Sequence, residues 1–527
     1  MRKIWFVGLV PVLGMAIGNA CSTFGSAQGE VDASVTGRDD ASAVDPGTLP
    51  GLPPRPDGAT PISLKIELLD QTALVGVRGK APVPVRVRVT PASAGLDLSV
   101  SGLPLGATSA VVNADVGTGL GTLTISLAQS TRSGTFPISV KASGAGAVTA
   151  ALDATLEVRG APGEVDESFG TNGLVLNDLG PRETPLDALV LDDGRIVVGG
   201  YDAAGPFVRR YRADGPLDPT FGVNGTKRLL VTWDGGKVDA LILVPPSTLL
   251  AAATNGRGGD QVGFFRIDDT PTTAPLIRAI PAVNMREVVS IEVRDGASMV
   301  ALGHGGSGWV IASFDQTTGA PAAWGQGSSG FAYGGVDTPA LAFFRRSTDD
   351  VALAEAAGGI RAIRLNKQGI VTGQSLMSGV GYLGATALAD GKIVVGDIRE
   401  TGAGAATFGL YTTDGNTATE LGLRRPGAGR AQLYGRGFLA TPAGYVLASE
   451  RQDPGTESRL RAAFFRKDGS AETAVAEAGL VELTFLAGET QSFPARLLWQ
   501  KTTQKVVVVA GVEGPGGGAM AMRRIWL

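Results

Sequence analysis

Seven times between residues 195 and 511 the chain carries a short, nearly continuous apolar segment directly after a turn. These are RIVVGG (195–200), TLLAAAT (248–254), SMVALG (298–303), VALAEA (351–356), KIVVGD (392–397), YVLASE (445–450) and KVVVVAG (505–511). A strand that is apolar on both faces must be covered on both, and a lone sheet with one wet face cannot do that. The turn centres fall near Gly194, Ser247, Gly296, Asp350, Gly391, Gly444 and Gln504, 41 to 60 residues apart. That spacing leaves room for four short antiparallel strands per unit, and periods of this size go with sheets repeated around an axis. Gly makes up 77 of 527 residues, as a turn-rich chain requires, and 43% of residues are hydrophobic, enough to build a core.

The units also share local detail. VDESFGTNG (165–173) returns as LDPTFGVNG (217–225), so Phe169-Gly170 recurs as Phe221-Gly222. Between them lie LDALVLDDGRIVVGGYD (186–202) and PFVRRYRADG (206–215), a pair restated by LADGKIVVGD (388–397) and TFGLYTTDG (407–415). These segments resemble the delta-60 repeats of exported bacterial proteins: a D-x-x-F-G-x-x-G stretch, a D-G-K-I-x-V-x-G hairpin and an aromatic-Arg strand ending in D-G. The resemblance implies β-propeller blades and brings no enzymatic role. The first copy matches nearly throughout, and the later ones are eroded.

The aromatic-Arg strand recurs as GFFRIDD (263–269), AAFFRKDG (462–469) and AMAMRRIWL (519–527), and the seventh unit has no outer strand after it. GLVLNDL (173–179), ahead of the first hairpin, matches GLVELTF (479–485), ahead of the last. It is therefore expected to pair with 519–527, complete the seventh unit and close the ring, leaving only short edges. The expected fold is all-β, with a seven-bladed β-propeller over 161–527.

Before it, residues 61–160 alternate in short strands. In VPVRVRVTP (83–91), Val83, Val85, Val87 and Val89 share one face, and Pro84, Arg86, Arg88 and Thr90 the other. Further strands are read at 63–69, 96–104, 121–127, 135–143 and 151–160, a spacing that suits a β-sandwich. SVSGLPLGATS with GTLTISLAQSTRSGTFPISVKA resembles the immunoglobulin-like domains of exported bacterial proteins. Residues 21–60 have few large apolar side chains and read as a disordered tether. Arg2 and Lys3, then an apolar run from Ile4 to Ile17 and small residues to Ala20, read as a signal peptide over 1–20. The lone cysteine, Cys21, follows at once, and this arrangement resembles a bacterial lipoprotein signal in which Cys21 carries the lipid. Ser22 rather than Asp after it implies the outer membrane by the same resemblance.

Composition narrows the chemistry. One His and one Cys remove most routes to metal sites and to thiol or His-assisted nucleophiles. A net charge of −4 leaves no basic surface for nucleic acid. His304 lies in GHGGSG (303–308), which spells G-x-G-x-x-G but ends a strand instead of opening a helix, so a hairpin corner is expected. Trp233-Asp234 is a single WD pair without the rest of a repeat. The paired acids Asp192/Asp193, Asp268/Asp269 and Asp349/Asp350 fall at turns, where Asp caps its own backbone. Residues 166–173 lack the alternation of a Ca²⁺ loop. The pairs Arg209/Arg210, Arg345/Arg346, Arg424/Arg425 and Arg523/Arg524 should put one Arg on each side of a strand.

The expected function is a non-catalytic, monomeric cell-envelope binding or scaffold module with no cofactor, no metal and no catalytic residue, held to the membrane through its N-terminal lipid. Its partner would be an envelope protein or a glycan. The alternative is a propeller hydrolase acting on carbohydrate through paired carboxylates, which needs no His.

Overall fold

The structure is a computed structural model and describes residues 63–527 apart from short internal stretches. Cys21, the signal peptide and the tether lie outside the described residues. So do Trp233, Asp234 and Arg424.

Eight strands form the N-terminal unit: β1 (Lys65–Leu68), β2 (Ala73–Val77), β3 (Val83–Thr90), β4 (Asp97–Ser101), β5 (Ala107–Asp115), β6 (Leu120–Leu127), β7 (Gly134–Ser143) and β8 (Thr149–Arg159). They make two four-stranded sheets, ordered β1-β3-β6-β5 and β2-β8-β7-β4. The alternation in β3 does what period two requires, since Val85 and Val87 are wholly buried and meet Ile125, Val140, Leu156 and Val158 in one core. Two strands had no clear sequence signal. β2 (ALVGV) is broken by Gly76, whose missing side chain leaves room for Val83 and Leu127. β5 has exposed residues on both faces at Thr108–Val112, so it shows no alternation.

Among the described residues seven further sheets follow. In each, successive antiparallel strands run outward from a first strand. The first sheet comprises Thr184–Val190, Ile196–Asp202, Gly205–Tyr211 and Thr226–Arg228. The second strands are the repeated apolar segments, and Val197, Ala252, Leu302, Leu353, Val394, Leu447 and Val508 on them are fully buried. Their two faces feed separate cores, with Val198 packing toward the seventh sheet and Val197 toward the second. Each first strand packs against that of the next sheet, and Gln491–Gln500 of the seventh packs back on Thr184–Val190 of the first. The seventh sheet contains three strands from the chain's end and a fourth, β9 (Leu174–Asn177), from before the first sheet. β9 pairs with Gly517–Trp526 in the register Leu174↔Arg523 to Asn177↔Met520. The closure read from residues 173–179 is therefore present.

The D-x-x-F-G loops fasten sheets at their ends. Asp166 Oδ2 accepts from Lys505 Nζ and Arg524 Nε, both at 2.7 Å, while Oδ1 accepts from Ser168 Oγ at 2.7 Å. Asp218 does the same with Arg210 Nε at 2.7 Å and Thr220 Oγ1 at 2.6 Å. Phe169 and Phe221 are buried beneath the guanidinium groups of Arg524 and Arg210. A third copy, ETAVAEAG (472–479), is hidden in the sequence: Glu472 accepts from Arg466 Nε at 3.1 Å, and Val475 stands where Phe stood. Gly173, Gly225 and Gly479, each seven residues after the acid, share φ of 80°, 82° and 81°, a left-handed backbone that favours glycine.

The N-terminal unit sits on the first of these loops. Arg78 pairs with Glu164, Arg132 Nη2 donates to Glu167 O at 2.9 Å, and Glu167 N donates to Ser133 Oγ at 3.1 Å.

Candidate functional site

The seven first strands enclose a channel of about 1400 Å³. Its wall is mostly apolar, with Leu189, Ile242, Phe344 and Leu439 among its residues, because first strands must also pack against one another. A β-bulge recurs near the start of these strands, between Pro185 and Asp187, Val238 and Ala240, Val288 and Ser290, Ala340 and Ala342, and Pro494 and Arg496. The extra residue bends the strand and sets a common level from which polar groups enter the channel.

At that level Asp187 joins three sheets. It pairs with Arg496 of the seventh at 3.4 Å and accepts from Leu241 N of the second at 2.8 Å. Arg436, entering the sixth sheet, reaches the bulged residue of the second: its Nη2 donates to Asp239 O at 2.6 Å. Since the second and sixth sheets are not neighbours in the ring, this side chain crosses the channel. The Asp239 carboxyl is pushed up to about 6, because burial outweighs the attraction of Lys237 at 3.0 Å. His304 pairs across its hairpin with Trp309, as a corner residue would, and lines the same end of the channel.

Farther along lies Glu292. Its carboxyl rises to about 7, since burial in the apolar wall outweighs the pull of Arg345 and Arg496. Arg345 donates to Val293 O of the neighbouring sheet. Tyr382, buried against the wall, donates to Leu341 O at 3.1 Å, and burial raises its hydroxyl.

The residues singled out in the sequence are distributed otherwise. The paired acids do not meet in the channel. Asp193 caps Arg195 N at 3.0 Å, Asp268 takes Lys227, Asp269 takes Arg210, Asp349 takes Arg346 and Arg364, and Asp350 takes Lys367 at 2.8 Å. The Arg pairs split as adjacent strand residues must: Arg345 lines the channel while Arg346 binds Asp349, and Arg524 binds Asp166 while Arg523 lies over Phe485. Arg209 is buried with Glu183 at 2.8 Å and Asp202 at 3.3 Å. Among the described residues no group of three or more His, Cys, Asp or Glu is placed to hold a metal ion. Sequence reasoning missed Glu292, Arg436 and Arg496. The available signal was a charge within a largely apolar first strand, as in ARLLW (495–499) and in EVVSIEV (287–293), which also carries Glu287, while Arg436 lies just ahead of its strand.

A family comparison agrees that the chain holds a β-propeller. Residues 191–221 match the family described as "Domain of unknown function (DUF5122) beta-propeller". No curated protein matches the chain. Solved structures similar to it include Sqt1 from Chaetomium thermophilum, with 11% identity over 67% of this chain and 100% of that one and a TM-score of 0.39. An α-L-arabinofuranosidase from Clostridium thermocellum has 11% identity over 48% and 97%, with a TM-score of 0.28. Oligopeptidase B from Trypanosoma brucei has 11% identity over 66% and 49%, with a TM-score of 0.36. At these values the likenesses carry no argument. The chain is an all-β protein with a β-propeller.

Proposed function

We propose that the protein is a lipid-anchored binding module of the bacterial cell envelope, a closed seven-bladed propeller of delta-60 repeats carrying an immunoglobulin-like sandwich. Cys21 bears the lipid, and the outer membrane is the destination. The channel and its loop-lined rims are the binding surface, open to an envelope protein, a glycan or a smaller ligand. The observation that carries the reading is the state of the channel acids: Asp187 is held by Arg496 and two backbone N–H groups, whereas Glu292 stands in an apolar wall. Most glycosidases use two cooperating carboxyl groups that both reach the substrate, and both oxygens of Asp187 are already engaged within the channel wall.

A second reading is favoured by Glu292 alone, whose raised pKa suits a general acid. The full-length protein assayed against a panel of aryl glycosides and oligosaccharides, beside Glu292→Gln, decides between them: turnover lost in the variant would replace the binding reading with a hydrolase. For the anchor, Cys21→Ser should move the protein from the membrane fraction to the soluble fraction. Retention of the variant on membranes, or wild type without lipid by mass spectrometry, overturns it.

A further inference from the structure

Four channel residues each keep one buried polar atom without a hydrogen-bond partner: Ser290 Oγ, His304 Nδ1, Arg345 Nε and Arg436 Nη1. A buried polar atom left unsatisfied is destabilising, and four among the side chains of one cavity point to a ligand that supplies partners. Strand register sorts them. Ser290 directly follows the bulge of the third sheet, and His304 lies opposite Glu287, just before it. Arg436 reaches the bulged Asp239. Arg345 pairs with Asp350, three residues beyond the post-bulge Ala342, or roughly 10 Å along the axis at ~3.3 Å per residue.

The two ends differ in the polar groups they offer. Arg345 faces Glu292. At the bulge end Asp187 is taken by Arg496 and Asp239 by Lys237, and Glu287 is exposed at the rim. Among the described residues Arg436 there bonds only a main-chain oxygen. A guanidinium with a free N–H, a hydroxyl and an imidazole at one end of an apolar tube suit a monoanionic head on an apolar body. One cation is a poor match for a doubly charged phosphate, and a wall of Leu, Ile and Phe offers a glycan few hydrogen bonds.

We propose that the channel binds an amphiphilic carboxylate, its head seated at the bulge end against Arg436, Ser290 and His304 and its apolar body lying along the first strands toward Arg345. This rests on the binding reading and names the ligand class of the same site.

Calorimetric titration of the full-length protein with decanoate tests it, with 1-decanol, decylammonium, decyl phosphate and an oligosaccharide panel as controls. Decanoate should bind saturably, and at least tenfold more tightly than any of the other C10 amphiphiles. Arg436→Met should weaken it tenfold or more, as loss of a charge-assisted hydrogen bond does. Arg345→Met, at the far end, should change it less than threefold. Because Arg436 also braces Asp239, Ser290→Ala gives a milder check: loss of one hydroxyl should weaken decanoate severalfold without shifting thermal unfolding. No saturable binding of decanoate, equal binding of decanol, or binding indifferent to both Arg436→Met and Ser290→Ala overturns the assignment. Saturable oligosaccharide binding without decanoate binding sinks the ligand class and leaves the binding reading standing. Hydrolysis of an oligosaccharide sinks that reading instead.

Discussion

Replacing Asp166 with Asn tests how the ring is held at its closure. Asp166 is 0% exposed and pairs with both Lys505 and Arg524, which are 3% and 4% exposed. Burial pushes its carboxyl up, but Arg524 and Lys505 outweigh that and hold it below the usual carboxylate range. The Asn variant keeps the volume and leaves two buried cations without a counter-charge, a change that costs about 3–5 kcal/mol. With a urea dependence near ~3 kcal/mol per molar, the unfolding midpoint should fall by roughly 1 M or more. Intrinsic fluorescence is a suitable readout, since Lys505 Nζ lies 3.5 Å from the centroid of the Trp526 ring. The same lowered pKa fixes the pH dependence: the contribution is complete above the unfolded value of ~3.9 and disappears as pH falls through the folded value. Adding Lys505→Met to Asp166→Asn should recover at least ~1 kcal/mol relative to additivity, because one stranded charge is gone. A midpoint shift worth less than ~1 kcal/mol for Asp166→Asn, or strict additivity in the double variant, would refute the account.

Other outcomes follow from the same structure. Glu292 holds its proton to about pH 7 in the folded state and to only ~4.3 unfolded. Wild-type stability should therefore fall as pH rises between those values and level off above, with Asp239, at about 6, adding to the slope. Glu292→Gln should flatten that fall and be the more stable form at pH 8; an unchanged stability profile would show that the carboxyl is solvated. Deleting residues 519–527 removes the partner of β9 and should abolish cooperative thermal unfolding of the ring. A near-native transition in the truncated chain would mean that the ends need not be joined. At Gly134, φ is 135° and a Cβ would land on that of Ser168, so Gly134→Ala should cost about 1–3 kcal/mol and sensitise residues 160–164 to protease. Equal cleavage rates would show that the two units are not locked there.

Local chemistry determined a good deal of this protein by itself. Segments such as RIVVGG and KVVVVAG can be stable only when covered on both faces, and VPVRVRV only when covered on one, so the covered and wet surfaces were legible from hydropathy. GLVLNDL was legible as a displaced outer strand because it restates GLVELTF. What stayed hidden lacked a local signature. β5 is wet on both faces, and β2 packs one buried position through a glycine beside an exposed Val75, so neither alternates in hydropathy. In the third D-x-x-F-G loop Glu replaces Asp and Val replaces Phe, substitutions that keep the ion pair and the apolar plug while erasing the text. The channel lay furthest from the sequence. Glu292, Arg436 and Arg496 are far apart along the chain; Glu292 and Arg496 sit in largely apolar strands, and Arg436 just ahead of one. Only closure of seven sheets around one axis brings Glu292 under the influence of Arg496 and carries Arg436 across to Asp239. The shift at Glu292 is set by burial, which belongs to the assembled ring and to no segment of it.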